Sequence, residues 1–211
     1  MNDDGDFRIR PYRPDDRDGV AHVCLLTARA GGDATGVYSD DSLMPDVYAL
    51  PYVDRAPEFA WVVVTGSPER VVGYVIGVPD TAEFIDWWGS EYLPVFDARH
   101  PEAAPPTEAN PAYSEASLIA DGRNPERMRI PELADYPAHL HIDLLPEAQR
   151  RGLGRRLVDT LRAALAEAGV SALHLGYAAE NENAGAFYAR LGFHPLPSST
   201  ETAPRVGIAT A

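Results

Sequence analysis

Residues Gln149-Arg150-Arg151-Gly152-Leu153-Gly154 stand between a short strand pattern (Leu140, Ile142, Leu144) and an amphipathic helix pattern that begins at Leu153. A loop with two glycines at a helix start leaves several backbone N–H groups unpaired and lets them close on a ligand, while the helix dipole adds positive charge. That is phosphate or pyrophosphate chemistry. Arg150, Arg151, Arg155 and Arg156 flank the loop; they suit phosphate oxygens and would equally serve as a solvated helix face. A P-loop ends in Gly-Lys-Ser/Thr, and this chain has no lysine. The dinucleotide fingerprint fails too, because Gly152-Leu153-Gly154 continues with Arg155, Arg156 and Leu157.

The strand before the loop carries a second set of reactive side chains. With a period of two, Leu140, Ile142 and Leu144 face the core, and His139, His141 and Asp143 share the opposite face as a candidate active-site wall. Asp143 is a candidate base or cation partner, or a structural acid paired with an arginine. His-Leu-His-Ile-Asp also has metal-ligand spacing. The count opposes a metal: Leu144 stands where a metallohydrolase motif continues with histidine, and His22, His100, His174, His194 and Cys24 form no second ligand motif. No metal is expected, and a metallohydrolase ranks third among the readings.

Further on, Asn181-Glu182-Asn183-Ala184-Gly185-Ala186-Phe187-Tyr188-Ala189-Arg190-Leu191-Gly192-Phe193 reads as a helix. Asn181 caps it, Ala184, Phe187 and Leu191 recur on one side, and Gly192 ends it in the left-handed conformation. Tyr188 falls beside that stripe; by itself it is a half-buried core tyrosine.

Together the two segments resemble the GNAT superfamily of N-acetyltransferases. The loop matches its Q/R-x-x-G-x-G/A pattern, and the helix matches N-x-x-A-x-x-F-Y-x-x-x-G-F position for position. The resemblance implies an α/β fold with a mixed, mostly antiparallel sheet flanked by helices, and acetyl-CoA as co-substrate. It implies cofactor contacts from Gln149, Arg150, Arg151, Gly152, Leu153, Gly154 and Arg155, and from Asn181 and Tyr188. It further implies that the strand splays from its neighbour and that Leu144 and Leu145 offer backbone N–H groups to the thioester. The mechanism so implied is direct attack: Asp143, through water or His141, takes the proton of a primary ammonium, and Tyr188 protonates the departing thiolate. The acceptor is a small-molecule or peptide amine.

A narrower resemblance rests on Arg10-Pro11-Tyr12-Arg13-Pro14, on Gly73-Tyr74 running into Asp80-Thr81 and Phe84-Ile85, and on Tyr136-Pro137 leading into Ile142-Asp143. These look like the acetyltransferase-like C-terminal domain of eukaryotic O-GlcNAc hydrolases and its bacterial relatives. Those eukaryotic domains have a degraded loop and are regarded as pseudo-acetyltransferases, whereas Gln149, Gly152 and Gly154 are all present here. The rival reading is therefore a noncatalytic acetyl-CoA-binding or protein-interaction module.

The elements that must position these residues follow from pattern. Phe7–Arg10 reads as a strand, and Pro14, Asp15 and Asp16 open a helix burying Val20, Val23, Cys24 and Leu25. A glycine-rich segment (Gly31, Gly32, Gly36) leads to an irregular stretch with a short helix over 43–50. Phe59–Thr65 and Val71–Val78 form a hairpin around 66–70. A helix over 81–92 has Thr81 as its cap, and 97–111 reads as loop within an insertion spanning about 95–137. Another helix covers 113–123, and 131–137 is extended chain entering a strand over 139–145. The helix from Leu153 ends at Gly169, and strands at 172–177 and 206–208 complete the sheet.

At 211 residues, 45% hydrophobic and 24% charged, the chain reads as one domain, residues 1–211. Its acidic start and lack of a long apolar run predict a cytoplasmic protein, and the single Cys24 suits a reducing compartment. A net charge of −14 opposes partnership with nucleic acid or an anionic membrane and permits a cationic substrate. Nothing in the pattern fixes an oligomeric state.

Overall fold

The computed structural model describes residues 7–29, 31–103 and 114–211, with Glu182 described by its backbone alone. Seven strands form one sheet in the order β1-β2-β3-β4-β5-β7-β6. They are β1 (Arg8–Pro11), β2 (Ala60–Thr65), β3 (Arg70–Val78), β4 (Ala138–Leu144), β5 (Ala172–Gly176), β6 (His194–Pro195) and β7 (Arg205–Ala209). Every neighbouring pair is antiparallel except β4 with β5. The sheet is therefore mixed and mostly antiparallel, as its strand patterns predict; β6 is too short to leave a pattern.

Helices α1 (Arg17–Thr27), α2 (Leu43–Tyr48) and α3 (Leu50–Arg55) cover one face of the central strands. The short helix expected over 43–50 is two helices, broken at Ala49, with Pro51 in the first turn of α3. The other face is covered by α7 (Leu153–Glu167), whose Leu153, Leu157, Val158, Leu161 and Leu165 are buried. Gly77 in β3 lets α7 approach: a Cβ there would meet the Leu161 side chain at 3.0 Å. Helix α8 (Glu182–Leu191) ends at Gly192, whose φ of 96° is left-handed.

Between β3 and β4 the chain departs from its sequence reading. Asp80, not Thr81, caps α4 (Thr81–Trp87), accepting the Glu83 N–H at 3.0 Å; Thr81 is fully buried and uses its hydroxyl elsewhere. The helix does not stop at 92 or give way to loop at 97. A π-helical turn over Trp88–Tyr92 joins α4 to α5 (Leu93–Arg99). Trp88, Tyr92 and Phe96 recur every fourth residue and are buried, and the wider turn accommodates Pro94, which has no N–H to give. Helix α6 (Glu115–Arg123) is capped by Ser114 and packs on α5 through Gly122, where a Cβ would lie 2.1 Å from the Phe96 ring. Residues 131–135 form turns instead of extended chain. Expected features at 104–113, including the rest of the loop and Tyr113, lie outside the described residues. No helix among the described residues is long and apolar enough to cross a membrane.

Candidate active site

Strand β4 pairs with β3 from His139 to Leu144 but with β5 only at Ala138↔Leu173 and His139↔His174. Beyond His139 the two parallel strands diverge, while β5 stays bound to β7 through Gly176. In an antiparallel ladder, successive residues turn their N–H and C=O groups to opposite sides. The Leu145 N–H donates to the Val72 carbonyl at 2.9 Å, so residues 141, 143 and 145 point toward β3. Ile142 and Leu144 therefore point their N–H groups into the gap. This corrects the expectation for Leu145, whose N–H is committed to the sheet. Ile142 and Leu144, expected in the core, are only half-buried; on the β5 side no strand pairs with this stretch of β4 among the described residues.

The glycine loop closes the same end of the gap. Gln149 donates from Nε2 to the Leu144 carbonyl at 2.8 Å, tying the loop to the strand. Arg150, at φ 59°, and Gly152, at φ 76°, are both left-handed, and Gly152 is the N-cap residue of α7. A non-glycine residue in that conformation is strained and persists only where its surroundings impose it. The N–H groups of Gly152, Leu153, Gly154 and Arg155 donate to no backbone carbonyl among the described residues. A fifteen-residue helix thus presents its positive end over the loop. Gly154 seats α8 against this turn, since a Cβ there would meet the Phe187 ring at 3.0 Å.

The arginines divide by their contacts. Arg151 donates from Nε to the Glu147 carbonyl at 2.9 Å and lies over the Phe7 ring at 4.8 Å. Arg155 donates to the Arg190 carbonyl at 2.8 Å, bridging α7 to α8. Arg150 and Arg156 are exposed.

Asp143 sits on β4 directly across from Tyr74 of β3, whose hydroxyl donates to it at 2.5 Å. Burial pushes the carboxyl up to about 6, against the hydrogen bonds of Tyr74 and Thr27, which lower it. Its hydrogen-bond donor is the Tyr74 hydroxyl, and no arginine pairs with it among the described residues, so the alternative of a structural acid paired with arginine is not the arrangement found. Cys24 lies in the same cluster; burial and the Asp143 charge push its thiol up, so it is a core residue and no nucleophile. Tyr188 is 8% exposed, packed against Tyr177, Phe187 and Phe193. Burial, then the Asp143 charge, raises its phenol, which keeps its proton. Its hydroxyl makes no hydrogen bond with any described residue. Asn181 caps α8, accepting the Ala184 N–H at 3.1 Å.

The wall expected from His139, His141 and Asp143 is open only in part. His139 is buried, with Tyr52 at 2.8 Å and Thr81 at 2.8 Å on its two ring nitrogens. His141 is half-buried, and its Nε2 meets the Tyr52 hydroxyl at 3.0 Å. Burial and then the Arg127 charge push His141 down to about 3, so the ring is neutral. Among the described residues no group of three or more His, Cys, Asp or Glu side chains is placed to hold a metal ion. Tyr52 and Thr27 carry no site signal in the sequence, and Tyr74 enters it only through the Gly73-Tyr74 resemblance, since their roles depend on pairing register and helix docking. Strand alternation in Val71–Val78 marks Tyr74 as a polar-tipped residue in an apolar run, the one local signal available.

Residues 123–195 match the family model described as the acetyltransferase (GNAT) domain. The crystal structure of SsHAT is 43% identical, with a TM-score of 0.86 over 98% of this chain and 99% of that one. An apo-form mutant of agmatine N-acetyltransferase superposes with a TM-score of 0.57 at 15% identity, covering 97% of this chain and 99% of its own. PaiA N-acetyltransferase from Thermoplasma acidophilum, in complex with coenzyme A, gives 0.56 at 12% identity over 96% and 98%. The last two show likeness of fold alone.

Proposed function

This chain belongs to the GNAT acetyltransferase family, and on that footing we propose that it takes acetyl-CoA into the gap between β4 and β5 and transfers the acetyl group to a primary amine. One coincidence carries the reading. The free N–H groups of the loop, the inward N–H of Leu144 and the carboxylate of Asp143 occur in sequence along a single strand end and the loop that follows it.

The pyrophosphate would rest on the N–H groups of Gly152, Leu153, Gly154 and Arg155, with Gln149 and Arg151 holding the loop in shape and Arg150 reaching phosphate oxygens. Asn181 would serve by setting the start of α8. The Leu144 N–H, aided by that of Ile142, would hold the acyl oxygen as negative charge develops on it. Asp143 accepts a proton from the acceptor ammonium, directly or through water. A carboxyl titrating near 6 is both a stronger base than an ordinary aspartate and ionised at neutral pH. Tyr188 returns a proton to the thiolate. A cationic acceptor is supported by the −14 charge of the chain. The narrower kinship with the acetyltransferase-like domain of O-GlcNAc hydrolases stays part of this proposal. It is supported by the residues quoted for it, of which Thr81 and Pro137 are joined by a hydrogen bond.

The test has two steps. Acetyl-CoA at a hundred times its dissociation constant should stabilise the fold by about 2.7 kcal/mol. Mass spectrometry should then detect acetylated product from at least one of spermidine, agmatine and a lysine-containing peptide. A thermal shift without any product supports a noncatalytic binding module; no shift in folded protein removes the proposal.

A further inference from the structure

Four polar side chains on β4, α3 and α4 form one continuous chain under the acceptor side of the site. Thr81 and Tyr52 are fully buried, His139 is 6% exposed and His141 is half-buried. Donor and acceptor capacities fix the direction of the chain. The Thr81 hydroxyl donates its one proton to the Pro137 carbonyl at 2.6 Å, the shortest link. Toward His139 it can then only accept, which requires a proton on His139 Nδ1. The His139 ring is neutral, because burial first, and the nearby Arg127 charge with it, lower it. Its Nε2 thus carries a lone pair and accepts the Tyr52 hydroxyl proton at 2.8 Å. The Tyr52 oxygen in turn accepts from His141 Nε2–H at 3.0 Å.

We propose that Thr81, His139 and Tyr52 act as positioning residues that lock His141 in its Nε2–H tautomer, so that its Nδ1 lone pair stands beside Asp143 as a second acceptor for the incoming ammonium. His141 Nδ1 makes no hydrogen bond with any described residue, and the residue as a whole is only half-buried. Asp143 lies two residues further on the same strand face, roughly 7 Å away along the backbone. A primary ammonium has three N–H donors, so it can meet both acceptors at once, give its proton to the carboxylate and leave its lone pair oriented. The reversed chain would have Thr81 turn from Pro137 and Tyr52 donate to His141 Nε2 or to Met128 Sδ at 3.6 Å, a weak acceptor. It would place an N–H on Nδ1, which repels a cation. The inference rests on the acetyltransferase reading only for the identity of the incoming group.

The test is imidazole nitrogen NMR on the full-length protein, with the His141 signals assigned by their loss in His141→Asn. The expected result is protonated Nε2 and bare Nδ1, unchanged between pH 6 and pH 8. An Nδ1–H tautomer or a cationic ring at His141 in the wild type overturns the proposal. Tyr52→Phe should let an Nδ1–H population appear. With whichever panel amine turns over, it should raise the amine KM about tenfold while leaving the KM for acetyl-CoA unchanged. Thr81→Ser, which keeps the hydroxyl, should restore wild-type behaviour where Thr81→Val does not. An unchanged tautomer in folded Tyr52→Phe overturns the locking role. The spectra need no turnover, so absence of acetyl transfer would count against the function and leave the tautomer result standing.

Discussion

A carboxyl group that titrates at about 6 differs as a reagent from one at 3.8, and the difference at Asp143 comes from burial set against two hydroxyl hydrogen bonds. A base must be ionised to act, so kcat/KM for amine acetylation should rise with pH through an inflection near 6, below any inflection from the amine itself. Tyr74→Phe keeps the ring and removes a hydrogen bond that lowers the carboxyl. Its lower inflection should move to higher pH, and an inflection that stays put would take the base role away from Asp143. Tyr188→Phe should lower transfer about a hundredfold with acetyl-CoA affinity changed less than about twofold; unchanged turnover, with chemistry rate-limiting, would leave Tyr188 a packing residue. The candidates themselves were readable from sequence because Asp143 follows a strand alternation and Tyr188 a helical one. Their settings were not. The Tyr74 partner is set by β3–β4 register, and the cover over His139 comes from α3 and α4.

The gap between β4 and β5, the loop and the start of α7 form one device, and its glycines have separate duties. Gly154 permits contact with Phe187, so Gly154→Val should push α7 and α8 apart, lowering the unfolding temperature and weakening acetyl-CoA binding together. A Cβ on Gly152 would meet nothing within 4 Å, so only its φ of 76° opposes substitution. Gly152→Ala should therefore cost about 1–3 kcal/mol of stability yet retain the acetyl-CoA thermal shift. Gly152→Glu should lose that shift, because its carboxylate would occupy the ground of the phosphates. Equal shifts in the two variants, read by differential scanning fluorimetry, would show that the loop does not hold the pyrophosphate. These elements were legible because glycines, caps and helical stripes are local signals. That the strand splays was implied by the resemblance alone; no local signal marks the parting after His139, because β5 pairs with β7 and leaves β4 through contacts between segments distant in the chain. Likewise the helix running on through Pro94 is held by Trp88, Tyr92 and Phe96 meeting a core that local pattern does not contain.

Over the whole molecule, burial holds His139, His141 and His174 below their ordinary 6.5. Below pH 6.5 the unfolded chain binds protons that the folded chain refuses, so stability present above 6.5 is lost as pH falls. Asp143, raised from 3.8, works the other way between 3.8 and about 6, but as one group against three. The urea midpoint should accordingly fall between pH 7 and pH 5, and a flat midpoint would contradict the buried polar chain. The proposed reading sets a −14 chain and the Asp143 carboxylate to receive a cationic amine beside a bound thioester. The most direct measurement of that claim is amine acetylation by Asp143→Asn, nearly isosteric and unable to accept the proton. The account requires an intact acetyl-CoA thermal shift with product formation reduced about a hundredfold or more. Transfer at the wild-type rate across the pH range would contradict it.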